Sequence, residues 1–136
     1  MKIGVVGYSG AKFNEDIAKA LLAIAFRVVE ENHEAKEYTL VSGLTDMGIP
    51  ALAYRMADKN GWRTVGIACE KAHENPCYDV DEEIIEGKEW GDESKTFLNY
   101  IDVLVRIGGG KQSIKETETA KKKDIPVYEY DLPEIK

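Results

Sequence analysis

Three short clusters of glycine and polar residues are the part of this sequence best suited to chemistry. They are Gly7-Tyr8-Ser9-Gly10, the loop from Ser42-Gly43 to Met47-Gly48, and Gly108-Gly109-Gly110-Lys111-Gln112-Ser113. A residue without Cβ lets backbone N–H groups come close to an anion, and several such turns need a positive φ. Where a loop of this kind runs into a helix, the first N–H groups of the helix are unpaired and the dipole favours negative charge. The chemistry implied is the holding of a phosphate, and these residues are the candidate ligand site. Tyr8 would stack on or cap the ligand, or else simply pack.

Other residues have two readings each. Ser113-x-x-Glu116 fits a capping box, in which the serine bonds a backbone N–H and the glutamate reaches back to the cap's own N–H. It also places one carboxylate beside the glycine loop. Arg106, next to the glycines, could grip a phosphate with a two-pronged guanidinium or pair with an acidic neighbour. His73 could move a proton near neutral pH or be a solvated loop side chain. Asp102 reads as a turn residue. Cys69 and Cys77 lie eight positions apart, without the further ligands of a zinc site, and read as one buried and one loop thiol. Neither a metal nor a cofactor is expected.

The elements that must position these residues alternate. Lys2 to Gly7 reads as a buried strand and Asn14 to about Glu31 as a helix, with Asn14 as cap and Glu15 and Asp16 in the first turn. In that helix Ile17, Leu21, Ile24 and Val28 form one apolar stripe, widened by Leu22, Ala25, Phe26 and Val29 beyond what one sheet face requires. The breadth predicts a contact with a second copy.

Tyr38 to Ser42 reads as a strand, Ile49 to Lys59 as a helix stopped by Asn60-Gly61, and Arg63 to Cys69 as a strand. Glu70 to Gly91 shows neither period and reads as a long loop. A helix over Asp92 to Tyr100, a strand over Val103 to Ile107, a helix over Ser113 to Lys123 and a strand over Ile125 to Tyr130 complete the pattern. The prediction is a three-layer Rossmann-like α/β domain, with a mainly parallel sheet of about five strands flanked by helices.

Bulk properties narrow the partners. The 136 residues suit one domain over 1–136, and with 43% hydrophobic and 32% charged residues they belong to a folded chain. A net charge of -7 argues against nucleic acid, which binds through counterion release. The most apolar stretch, Ala18 to Val29, is interrupted by Lys19 and Arg27, so no membrane association is expected. Met1 to Gly7 passes directly into a strand pattern, which points to the cytoplasm.

A resemblance adds to this. Val41-Ser42-Gly43-Leu44-Thr45-Asp46-Met47-Gly48, with Ala51, Ala57, Gly61 and Thr64-Val65-Gly66-Ile67 beyond it, resembles the glycine-rich loop, helix and strand of the Lonely Guy family, the possible lysine decarboxylases of the SLOG superfamily. The catalytic signature there is Pro-Gly-Gly-x-Gly-Thr-x-x-Glu. Here Gly108-Gly109-Gly110-Lys111-Gln112-Ser113-Ile114-Lys115-Glu116 keeps two glycines, a hydroxyl and the glutamate, while Gly108 replaces the proline and Gln112 a glycine. Tyr8-Ser9-Gly10 is similar to the serine loop after the family's first strand.

The resemblance implies a pocket for a nucleoside monophosphate or related sugar phosphate, and a homo-oligomer. It puts Glu116 at the catalytic position for hydrolysis of a base–ribose bond. The assisting arginine is missing, since the corresponding helix offers Glu93, Ser94 and Lys95. Decarboxylation is rejected, because Lys111 has no pyridoxal phosphate context. Two readings therefore stand: a protein that binds a nucleotide without transforming it, and a nucleotide N-glycosidase using Glu116. The direction of the Glu116 side chain, into a pocket or back onto Ser113, separates them.

Overall fold

The computed structural model describes residues 1–136. Along the chain run β1 (Lys2–Gly7), α1 (Glu15–Asn32), β2 (Thr39–Ser42), α2 (Gly48–Lys59), β3 (Arg63–Ala68), a 3-10 turn (Glu70–Glu74), β4 (Glu82–Ile85), α3 (Ser94–Tyr100), β5 (Val103–Ile107), α4 (Lys111–Lys122) and β6 (Val127–Tyr130). All six strands are parallel, in the order β4-β3-β2-β1-β5-β6. Because β1 and β5 are neighbours with crossovers leaving in opposite directions, the order reverses between them, and ligands of open α/β sheets bind in the crevice near such a reversal at the strands' carboxyl ends.

Side-chain alternation along each strand builds the two covering layers. Ile3 and Val5 of β1 and Val103, Val105 and Ile107 of β5 face α1 and α2, joined by Leu22, Phe26, Leu52 and Tyr54. Val6, Val41, Val65 and Leu104 face the other way, against Phe97, Leu98 and Ile101 of the α3 segment and Ala120 of α4. Gly4 lets α3 sit close: a Cβ there would lie 2.7 Å from Ile101 Cδ1 and 2.9 Å from Phe97. Helices cover both faces, as the alternation predicts.

Several expectations are corrected. The sheet has six strands, since Glu82–Ile85 inside the expected loop pairs in parallel with β3 from Val65 to Ala68. That strand is at the edge and half-exposed, with Glu82 paired to Arg63 at 2.8 Å, so its Glu-Glu-Ile-Ile carries no period-two apolar signal. The helix expected from Asp92 begins at Ser94, because the Asp92 carboxylate is tied to the N–H groups of Lys88 and Glu89. On α1 the inward face is Ala18, Leu22, Ala25, Phe26 and Val29, whereas Ile17 and Ile24 are about half exposed, at 49% and 51%. The two stripes thus face different ways. No helix is long and apolar enough to cross a membrane.

Candidate functional site

The crevice is a cavity of about 390 Å³ at the carboxyl ends of β1, β2 and β3, closed on one side by the start of α4. Of the sequence-derived candidates, Gly7, Tyr8, Ser9 and Gly10 line it from the β1 loop, and Ser42 and Gly43 from the β2 loop. Gly110, Lys111, Gln112, Ser113 and Glu116 line it from α4. Met47, Gly48, Gly108 and Gly109 do not; the three glycines let the walls pack closely, and Met47 is the residue before α2. Gly48 has φ +60, and a Cβ there would fall 2.2 Å from the Tyr8 carbonyl oxygen. Gly109 has φ +110 and lies against Ser113, where a Cβ would come within 2.6 Å of another. At the cavity glycines Gly10, Gly43 and Gly110, an added Cβ would meet nothing within 4 Å, so their bare backbone is open to a ligand.

The three helix starts near the crevice differ. Asn14 caps α1, its Oδ1 accepting from the Ile17 N–H at 3.1 Å. The start of α2 donates the Ile49 N–H to the Tyr8 carbonyl at 2.7 Å. The start of α4 has Gly110 as its cap, with no side-chain bond, and no acidic residue in its first turn. Its leading N–H groups and dipole are therefore free for an anion, beside the exposed ammonium-bearing Lys111.

Hydroxyls in the walls serve chiefly to fix them. Ser42 donates to Val5 O at 2.6 Å and Tyr8 to Leu132 O at 2.9 Å, with the Tyr8 ring stacked 6.0 Å from Phe13. Ser113 reaches Gly7 O only at 3.4 Å. Tyr54, which the sequence reading missed, is fully buried, its hydroxyl 2.7 Å from Gly43 O and 2.9 Å from Val65 O, so it anchors the β2 loop from below. Burial pushes its phenol far above the ordinary value. Its only sequence signal was a place on the apolar face of α2.

The capping box is corrected. Helix α4 begins at Lys111, two residues before the expected Ser113, so Ser113 lies inside the helix and Glu116 has no cap to reach. Instead the Glu116 side chain accepts from Ser94 Oγ at 2.7 Å, on the first residue of α3. Desolvation pushes its carboxyl above the usual range, neighbouring Glu93 adds to this, and the Ser94 and Gln112 hydrogen bonds oppose it. Glu93 is equally buried, at 6% exposed against 7% for Glu116, and accepts from Gln112 Nε2 at 3.1 Å and from the Gly91 N–H at 3.0 Å.

The remaining candidates lie outside. Arg106 takes its acidic reading, with Glu129 at 3.4 Å, Asp131 at 3.1 Å and Gly108 O at 2.7 Å. His73 pairs with Glu83 on β4, and Asp102 accepts from the Lys2 N–H at 2.8 Å, a turn contact. Both cysteines are free, Cys69 buried and Cys77 exposed. The cavity also holds residues not singled out as ligand contacts, including Trp90, Glu93, Phe97 and Thr45. Trp90 comes from the segment without periodicity and Glu93 from the start of the expected Asp92 to Tyr100 helix, and only the folded chain brings them to one cavity.

The profile of the SLOG cluster4 family matches residues 1–135. The chain belongs to this family. Solved structures that it resembles include the molybdenum cofactor carrier protein from Chlamydomonas reinhardtii, at 23% identity and TM-score 0.74 over 95% of this chain and 75% of that one. The molybdenum cofactor binding protein from the phototrophic bacterium Rippkaea orientalis aligns at 24% identity and TM-score 0.74, over 94% and 74% of the two chains. The structural-genomics target TM1055 aligns at 25% and 0.72, over 93% and 71%. No curated protein sequence matches the chain. The SLOG membership agrees with the motif resemblance, and the neighbours agree on the Rossmann-like fold.

Proposed function

We propose that this SLOG protein binds a nucleotide or another phosphate-bearing small molecule in the crevice, without transforming it. The observation that carries the reading is the open start of α4: an uncapped helix N-terminus at Gly110, with Lys111 beside it, facing a cavity whose other loops carry bare Gly10 and Gly43. Phosphate would sit on the N–H groups there. The neighbours described as carrying or binding the molybdenum cofactor support a holding role. Lys111 is the only cationic side chain in the lining, which leaves the carboxylates without an arginine partner for catalysis. Thermal unfolding with nucleoside monophosphates tests this: a ligand at a hundredfold over its Kd adds about 2.7 kcal/mol, on the order of 10 °C for a chain of this size. No shift with any phosphate-bearing nucleoside would sink the reading.

One observation favours the enzymatic alternative, a nucleoside monophosphate phosphoribohydrolase. Glu116 lines the cavity and bonds to Ser94 instead of capping α4, a place where a carboxylate could stabilise positive charge developing on ribose. Release of free base by the unmodified protein, falling a hundredfold or more in Glu116→Gln, would establish it.

We also propose that a second copy covers the outward stripe of α1. Ile17 and Ile24 stand in water there, with Leu21 and Val28 half-buried between them. Sedimentation of the native protein and of Ile24→Lys should show a dimer and a monomer respectively. A native monomer at tens of micromolar would count against it.

A further inference from the structure

A second part of the cavity lining, reached from α4 through the Gln112 side chain, has the opposite electrostatic character from the helix's own N-terminus. Glu93 and Glu116 are both more than nine-tenths buried, line the same cavity, and lie close enough that Glu93 disfavours the charge of Glu116. Neither has a lysine, arginine or histidine within ion-pair distance. Their donors are Ser94 Oγ, the Gly91 N–H and the Gln112 side-chain amide between them. An ionised carboxylate has about four acceptor positions, so the pair offers roughly twice the acceptors that these donors use. Burying carboxylates without a cation is costly unless donors arrive from elsewhere. Both line the cavity, from which such donors can come.

Trp90 lines the same cavity and is 50% exposed, whereas the other tryptophan, Trp62, is packed 5.2 Å from Phe26 and 5.3 Å from Tyr38. The turn carrying Trp90 is shaped by Gly87 and Gly91, with φ +79 and +101. An unstacked indole sharing a cavity with a pair of buried acceptors matches a planar ring with a donor edge. Lys111 and Glu116 are five positions apart on α4, roughly 7.5 Å along its axis, so an anion at one end and a ring at the other fit one ligand.

We propose that Glu93, Glu116 and Trp90 select a heterocycle presenting adjacent ring N–H and exocyclic NH₂ donors, the edge that guanine carries. This deepens the proposed function and rests on its reading that a nucleotide occupies the cavity. Adenine fits worse because a ring nitrogen acceptor would face a carboxylate, and hypoxanthine lacks the amine.

The test is calorimetry with GMP, IMP, AMP and guanosine on the native protein, on Glu93→Gln and on Trp90→Leu, with circular dichroism melts to check folding. GMP should bind at least tenfold more tightly than IMP, with AMP weakest. Glu93→Gln should collapse the preference for GMP over AMP, because the amide presents a donor to a donor. Trp90→Leu should weaken GMP tenfold or more, and GMP should quench Trp90 fluorescence in the native protein. Equal affinity for GMP and AMP would overturn the inference while leaving the nucleotide reading standing. A GMP preference unchanged in folded Glu93→Gln would overturn the assignment to the carboxylates. GMP binding no more tightly than guanosine would instead count against the phosphate end, and binding of none of the four would remove both.

Discussion

The starts of α1 and α4 differ in who fills them. Asn14 satisfies an α1 N–H, and Glu15 and Asp16 supply the negative charge its dipole favours. At α4 the cap is Gly110, the first residue is Lys111, and no acid lies in the first turn. Both follow strand ends at the same edge of one sheet, yet only one leaves its donors to something outside the chain. A helix N-terminus after a glycine loop is thus open to a ligand only where the protein has not spent it on itself. The start of α2, spent on the Tyr8 carbonyl, makes the same point.

The largest effect should come from breaking the closed start of α2. Gly48→Val forces a β-branched residue to φ +60 and drives a Cβ into the Tyr8 carbonyl 2.2 Å away. Strain and overpacking together should cost roughly 2–5 kcal/mol in urea unfolding. A loss below ~1 kcal/mol would mean that the β1 loop and α2 are not locked together as described.

Next is the open start. Gly110→Val adds a side chain where nothing lies within 4 Å, on backbone at φ -91 that valine tolerates. Nucleotide affinity should fall about a hundredfold by calorimetry, while stability changes by no more than about 1 kcal/mol, the size of a cap effect. Gly109→Val is the poorer probe, since at φ +110 and against Ser113 it would disturb the fold itself. Undiminished affinity in Gly110→Val would close the open end of the comparison.

Asn14→Ala is the converse. It should cost about 1 kcal/mol of stability and leave nucleotide affinity unchanged. Weakened binding would show that α1 takes part in the site after all.

The smallest effect concerns the carboxylates near the two starts, solvated at Glu15 and Asp16 but buried at Glu116. With its carboxyl raised by desolvation, folded Glu116 holds a proton at pH values where the unfolded chain has lost it. Stability from this group is therefore greatest at low pH and declines as pH rises from the ordinary glutamate range through the raised value. Glu116→Gln lacks that decline. Relative to the native protein it should gain stability at pH 8 over pH 4 in denaturant titrations; an identical difference at both would show that the carboxylate is not desolvated in solution.

Much of the fold was legible because its signals are local. Runs such as Ile3 to Val6 and Val103 to Ile107 are long and apolar enough to be buried strands, and Asn14 and Asn60-Gly61 punctuate helices through their own backbone preferences. The glycine loops were legible as places of close backbone approach because the absence of a Cβ is a property of the residue. Strand β4 was not, since an edge strand exchanges apolar alternation for charge, and Glu82–Ile85 gains its structure only from pairing with β3.

The sequence by itself determined the alternation of strands and helices, the glycine-rich edge and the presence of Glu116 beside it. Only the tertiary structure decided which glycines shape the walls and which stay bare. It also decided that Ser113 lies within α4 rather than capping it, and that Glu93, Glu116 and Trp90 share one cavity. The physical reason is range. Backbone conformation and helix punctuation depend on neighbours a few residues away, whereas the vacancy of a helix start and the burial of a carboxylate depend on contacts such as Ser94 with Glu116, made across 22 positions of sequence.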